Sequence, residues 1–250
     1  QEAFNQLGYS MTEDGVYGSV TKGVIIDFQK QYQSLINDGI YGSQTKKYLE
    51  KALVNDSTIV DNPSDPLVIV NKDYSLPEDY VPDKLVVPDI PFPFNEFHQK
   101  KLMRQDAAKA LELLFNQAKE DNVNLYALSG YRSYQRQENI FGAKAMNRGL
   151  ETANKFSAKP GESEHQTGLA MDVTSSAVNF GLTQSFGETN EGKWLKENAA
   201  KFGFIIRYPE GKEDITGYSY EPWHLRYIGQ GSSQIIVHND ITLEEYLGRA

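Results

Sequence analysis

Two eight-residue segments, DGVYGSVT at 14–21 and DGIYGSQT at 38–45, repeat 24 residues apart. Each joins a tight turn to a helix start. Gly15, Gly18, Gly39 and Gly42 supply the permissive backbone such turns need, and Ser19 and Ser43 are the expected N-caps. After the first turn, Val20, Val24, Ile25 and Phe28 recur at helical spacing; after the second, Tyr48, Leu49 and Leu53 do so. Two units are too few for a solenoid. The repeat therefore predicts a small all-α domain of about three helices over residues 1–53.

The polar stretch VNDSTIVDNPSDP at 54–66 has two prolines and no helical period, and reads as a linker. Beyond it, 67–250 is expected to form one α+β domain, a small antiparallel sheet with flanking helices. LVIVN at 67–71 reads as a strand, and the proline-rich run to Pro93 as an extended wrap. A helix is expected from Asn95 to about Asn122 and another after Ser133 through Gln137 and Phe141. Strands are expected at 124–128, 168–174, GFIIRY and 223–227, a helix from Trp194 to Phe202, and a last helix capped by Thr242.

A net charge of −9 argues against nucleic acid or an anionic membrane as the main partner, because both need basic surfaces. There is no cysteine, which excludes disulfides, thiol nucleophiles and cysteine metal sites. No apolar run is long enough for a transmembrane helix. No signal segment is visible, and the chain starts at Gln1, so a leader is expected to have been removed.

Of four histidines, His98 and His238 lack motif context and are assigned to surface or core. His165 lies in SEHQTGLAMD, seven residues before Asp172, and His224 lies in EPWHLRY, three after Glu221. His165, Asp172 and His224 are suitable zinc donors, and a catalytic zinc keeps three protein ligands with one position open. Gly168 and Ala170 are small enough to let a loop turn into a strand between two of them. Glu221, close by but not needed as a ligand, can act as general base toward water. In SGYRSYQRQ (129–137), Arg132 can stabilise an oxyanion or bind a carboxylate. The bland alternatives are a packed core histidine, a turn aspartate and a surface arginine.

These three segments together resemble the VanY-type D-alanyl-D-alanine carboxypeptidases, a group of zinc metallopeptidases with the pattern S-x-H-x-x-G-x-A-x-D followed by E-x-W-H. Ser163, His165, Gly168, Ala170, Asp172, Glu221, Trp223 and His224 satisfy every position. The resemblance covers about residues 67–250. It implies zinc on His165, Asp172 and His224, Glu221 as base and later proton donor, and Arg132 on the scissile carbonyl. Ser163 and Gln137 would hold the substrate carboxylate, with Tyr131 and Trp223 also in the substrate site. The repeat resembles the helical peptidoglycan-binding domain type 1. Together these imply an extracytoplasmic, wall-associated, monomeric hydrolase acting on peptidoglycan stem peptides, its binding module raising local substrate concentration. The expected reaction is D,D-carboxypeptidase removal of the terminal D-alanine from pentapeptide stems. The alternatives are L,D-carboxypeptidase action on tetrapeptides, an endopeptidase, or a wall-binding protein with a structural metal. Specificity is expected in pocket loops such as 174–192, with Phe180 and Phe186.

Overall fold

The computed structural model describes residues 1–250 apart from 8, 31, 33, 34, 55, 56 and 149–156. In it the repeat becomes two copies of one loop. Asp14 and Asp38 each accept a hydrogen bond from the backbone two residues on, at 2.9 and 2.8 Å. Thr21 and Thr45 each donate to the carbonyl five residues back, both at 3.1 Å. A glutamine side chain spans each loop. Gln1 accepts from the Gly15 amide and donates to Asp14 and Thr21; Gln29 does the same with Gly39, Asp38 and Thr45. Gly15 and Gly39 stand at φ of 73° and 75°, a region that strains any side chain, which explains the glycine in both copies.

The loops launch α2 (Ser19–Gln29) and α3 (Ser43–Val54), which pack with α1 (Glu2–Gln6) as the expected three-helix unit. Phe4, Ile25, Phe28, Leu49 and Leu53 form its core, whereas Val20 lies 63% exposed on the outer face of α2. The expected cap at Ser19 moves by one: extended Gly18 is the N-cap, and α3 likewise begins at Ser43 itself.

Part of the expected linker is docked. Its Thr58–Ile59 (β1) pairs in parallel with Tyr74–Ser75 (β2). The strand expected at 67–71 does not form. Val68, Ile69 and Val70 are buried there, but the carbonyls of Pro66 and Val68 are taken by the Arg226 guanidinium instead of a neighbouring strand. The proline-rich run is extended, as expected: Leu85–Val86 (β3) pairs with Met103–Arg104 (β4), and Ala127 donates to the Pro91 carbonyl. The helix expected from Asn95 begins only with α4 (Gln105–Glu120). The backbone before it is held out of the helix, because the Lys100 and Leu102 carbonyls accept from the Gly130 and Tyr131 amides.

The main sheet is antiparallel, in the order β5 (Tyr126–Ser129), β6 (Ala170–Thr174), β8 (Glu221–Tyr227), β7 (Phe204–Tyr208). Between β5 and β6 runs α5 (Tyr134–Arg148). The apolar stripe of α4, with Leu111 and Leu114, covers one face, where Met171, Val173, Phe204 and Leu225 are buried. Since alternate strand residues face opposite ways, Asp172, His224 and Arg226 are left for the other face. Asn190–Asn198 (α6), Glu213–Thr216 (α7), Gln230–His238 (α8) and Leu243–Tyr246 (α9) complete the domain. Thr242 caps α9 in a capping box with Glu245. The α+β class expected for this region is the one observed.

Candidate active site

Asp172 and His224 are direct partners across β6 and β8. That pairing puts the His224 Nδ1 3.1 Å from Asp172 Oδ1. His165 arrives from the 3-10 turn Glu164–Thr167, which ends at Gly168 with φ of 68°. A side chain at Gly168 would meet Leu85, Pro82 and Arg104 carbons at 3.1–3.2 Å, so the turn into β6 needs glycine both for backbone and for space. His165 Nε2 then lies 3.5 Å from the other Asp172 oxygen, Oδ2. One ligand atom from each of these three residues lies within 4.8 Å of the others, and all three residues are buried.

Glu221 and His224 are three apart, so a regular strand would point them to opposite faces. The register between β7 and β8 shifts at this place: Ile206 pairs with Leu225, but Tyr208 pairs with Glu221. This irregularity brings Glu221 Oε2 to 3.8 Å from His224 Nδ1. Arg132, just beyond β5, is held by Gln137 Oε1 at 2.8 Å and by Ser129 Oγ at 3.4 Å.

These groups line a cavity of about 280 Å³ with Ser163, Ser157, Tyr208, Tyr218, Leu182 and Trp223. Gln137 and Tyr131 are 1% and 5% exposed, and neither lines the cavity. Gln137 reaches it only through Arg132, while also donating to the Ala158 carbonyl. Of the 174–192 segment, Leu182 faces the cavity, whereas Phe186 is fully buried in the core and Phe180 packs on Tyr126. His98 and His238 are exposed.

Burial pushes the His165 imidazole down to about 3, so it stays neutral, the form that ligates metals. Burial acts the same way on His224, but hydrogen bonds to Asp172 and Glu164 outweigh it and raise it to about 9. A cation bound at this place would compete with that proton. Burial alone would raise Asp172, yet the two histidines hold it below its usual value. Burial raises Glu221 to about 7, with His224 opposing, which makes it a carboxylate able to take up and return a proton near neutrality.

Four buried charged residues were not singled out from sequence: Glu164, which lines the same cavity, and Arg207, Arg226 and Glu244, each 1% exposed or less. Glu164 Oε2 accepts from His224 Nε2 at 3.3 Å, and Oε1 accepts from Arg207 and Arg226 at 2.7 and 2.6 Å. Burial works against the Glu164 carboxylate, but Arg226 and Arg207 overcome it and hold it well below the usual range. The available signal was arginine inside otherwise apolar strands, FIIRY and HLRY.

Two imidazoles and a carboxylate that converge on one point, beside a proton-accepting carboxylate and a fixed cation, suit hydrolysis of a peptide bond at a metal. Fold and site together define a metallopeptidase-type hydrolase. The chain belongs to the VanY D-alanyl-D-alanine carboxypeptidase family, whose model matches residues 100–230; residues 1–49 match the model described as "Putative peptidoglycan binding domain". It is 51% identical over 204 residues to "Putative carboxypeptidase YodJ" of Bacillus subtilis, covering 79% of this chain and 75% of that protein. Among solved structures it is similar to the LdcB LD-carboxypeptidase, with a TM-score of 0.76, 50% identity, and coverage of 79% of this chain and 92% of that one. It is also similar to the vancomycin-resistance D,D-pentapeptidase VanY, solved as a mutant in complex with Zn(II): TM-score 0.59, 33% identity, coverage 73% and 98%.

Proposed function

We propose that the chain is a zinc carboxypeptidase that releases the terminal D-alanine from peptidoglycan stem peptides. One observation carries this reading: the buried His165–Asp172–His224 cluster. Its donor set fits zinc, and the outer nitrogen of each imidazole is already engaged, His165 Nδ1 with the Gly130 carbonyl at 2.8 Å and His224 Nε2 with Glu164. Zinc held by these three residues would supply Lewis acidity toward water and an amide carbonyl. Glu221 takes the proton from the attacking water and returns it to the departing amine. Arg132, fixed by Gln137, offers its guanidinium to charge developing on the carbonyl oxygen or to the terminal carboxylate. Ser163 and Trp223, which line the cavity, contact the substrate; Gln137 and Tyr131 act from behind.

The pentapeptide, D,D reading follows the family description. A specific observation favours the second, L,D reading on tetrapeptides: similarity to the LD-carboxypeptidase exceeds that to the D,D-pentapeptidase in identity, 50% against 33%, and in TM-score, 0.76 against 0.59. On similarity the L,D reading weighs more. The test is D-alanine release from synthetic tetrapeptide and pentapeptide stems in parallel. A kcat/KM at least tenfold higher on tetrapeptide supports the L,D reading, and the reverse supports the D,D reading. We also assign residues 1–53 to wall binding, 54–66 to a partly docked linker and 67–250 to catalysis, with action outside the cytoplasm. Among the described residues, no helix is long and apolar enough to cross a membrane.

A further inference from the structure

Glu164, which enters the hydrolytic roles only as the partner of His224 Nε2, is adjacent in sequence to His165 and bonded in space to His224. Its neighbour in sequence, His165, turns toward Asp172, while the Glu164 carboxylate meets His224, Arg207 and Arg226 on the same face of the sheet. Its two oxygens have separate duties. Oε1 receives both guanidiniums, Arg207 Nε at 2.7 Å and Arg226 at 2.6 Å. Oε2 is left for the imidazole of His224, at 3.3 Å from Nε2. With Nε2 committed to Glu164, Nδ1, on the side that faces Asp172, is the nitrogen that would give up its proton and offer its lone pair to a metal. Arg226 reaches Glu164 from His224's own strand, and its other nitrogen is anchored on the Pro66 and Val68 carbonyls. Arg207 is gripped at its far end by Glu244 of α9, in a two-pronged pair at 2.6 and 2.9 Å. Glu244 in turn accepts from Asn71 at 3.1 Å. Two cations and two anions thus balance inside a region closed to water, each with its hydrogen-bonding groups engaged, which is the condition for a buried charge cluster to be tolerated.

We propose that Glu164 is a positioning residue that fixes the orientation and proton position of His224, and that Arg207 and Glu244 hold Glu164 in register, so that a residue of the last helix sets metal affinity. The inference rests on the zinc reading of the site. It differs from a purely structural role for the cluster, in which substitutions would lower stability but leave the metal affinity of the folded protein unchanged.

The experiment uses the full chain and its Glu164→Gln and Glu244→Gln variants. Zinc affinity is measured by competition with a chromophoric chelator, and folding is checked by circular dichroism. Nitrogen-15 histidine NMR of the zinc-loaded protein reports each imidazole nitrogen. In the wild type, His224 should carry its proton on Nε2 and His165 on Nδ1. Glu164→Gln should weaken zinc binding about 10–100-fold, the usual scale for a lost partner of a metal-ligating histidine. It should shift the His224 Nε2–H resonance while leaving the His165 pair in place. Glu244→Gln should move both readouts in the same direction by less, and it carries the test if Glu164→Gln does not fold. Folded variants that bind zinc within twofold of wild type, or nitrogen shifts equal at both histidines, would overturn the proposal. A wild-type chain that binds no zinc would instead overturn the metal reading on which it rests.

Discussion

Replacing Glu221 with Gln should abolish hydrolysis without emptying the metal site. The side chain is 31% exposed at the cavity, and its nearer oxygen is 3.8 Å from His224 Nδ1, while the three proposed ligands are clustered without it. Gln keeps the size and loses the ability to take a proton. A positioned general base contributes about 10²–10⁴-fold, or about 3–5 kcal/mol of barrier. The same carboxylate must also return a proton to the amine, which puts the expected loss at the upper end of that range. The assay is D-alanine release followed by liquid chromatography and mass spectrometry, with zinc content measured on the same sample. A kcat within tenfold of wild type would show that another group moves the proton. Loss of zinc together with activity would place Glu221 among the ligands.

Arg132→Ala should lower kcat/KM by about 10²–10³-fold if the guanidinium faces the developing oxyanion, with zinc content unchanged; steady-state kinetics check it. Gly168→Ala should lower the melting temperature, since it costs about 1–2 kcal/mol at a left-handed φ and adds a contact at 3.1 Å; thermal denaturation reads this. Glu162 is 1% exposed, and burial raises its carboxyl to about 7 despite Lys159. The folded state therefore binds more protons than the unfolded one between the unfolded value and about 7, so this group's contribution falls as pH rises through that window, by up to about 3 kcal/mol. Glu162→Gln should remove that slope, and melting curves at pH 5 and pH 8 would show no relative gain at the higher pH if the reasoning fails.

The site was legible because its chemistry is rare in this chain. With four histidines and no cysteine, the two histidines near Asp172 and Glu221 stood out; strand register pairs His224 with Asp172, and the turn before β6 brings in His165. The repeat likewise marked the three-helix unit, because its turns demand glycine at a positive φ. What escaped was set by partners distant in sequence. Val68 to Val70 have a strand's composition, but Arg226, about 160 residues away, claims the neighbouring carbonyls. The residues after Asn95 carry helical spacing, but before Gln105 they form only the 3-10 turn Gln99–Lys101, and the Gly130 and Tyr131 amides take the Lys100 and Leu102 carbonyls. Glu164 occupies the unspecified position between Ser163 and His165 and was assigned no role, since its partners Arg207 and Arg226 arrive from β7 and β8. Gln137 and Tyr131 were expected as substrate contacts from motif position; in the structure Gln137 accepts from Arg132, the Tyr131 amide donates to the Leu102 carbonyl, and neither lines the cavity.

The most direct test is mass spectrometry of purified muropeptides after incubation with the full chain, alone, with a chelator, and with the chelator followed by excess zinc. The structure predicts loss of one alanine from stem peptides, its arrest by chelation, and its return with zinc. Alanine loss that persists under chelation, or intact stems in the presence of zinc, would contradict a metal carboxypeptidase centred on His165, Asp172 and His224.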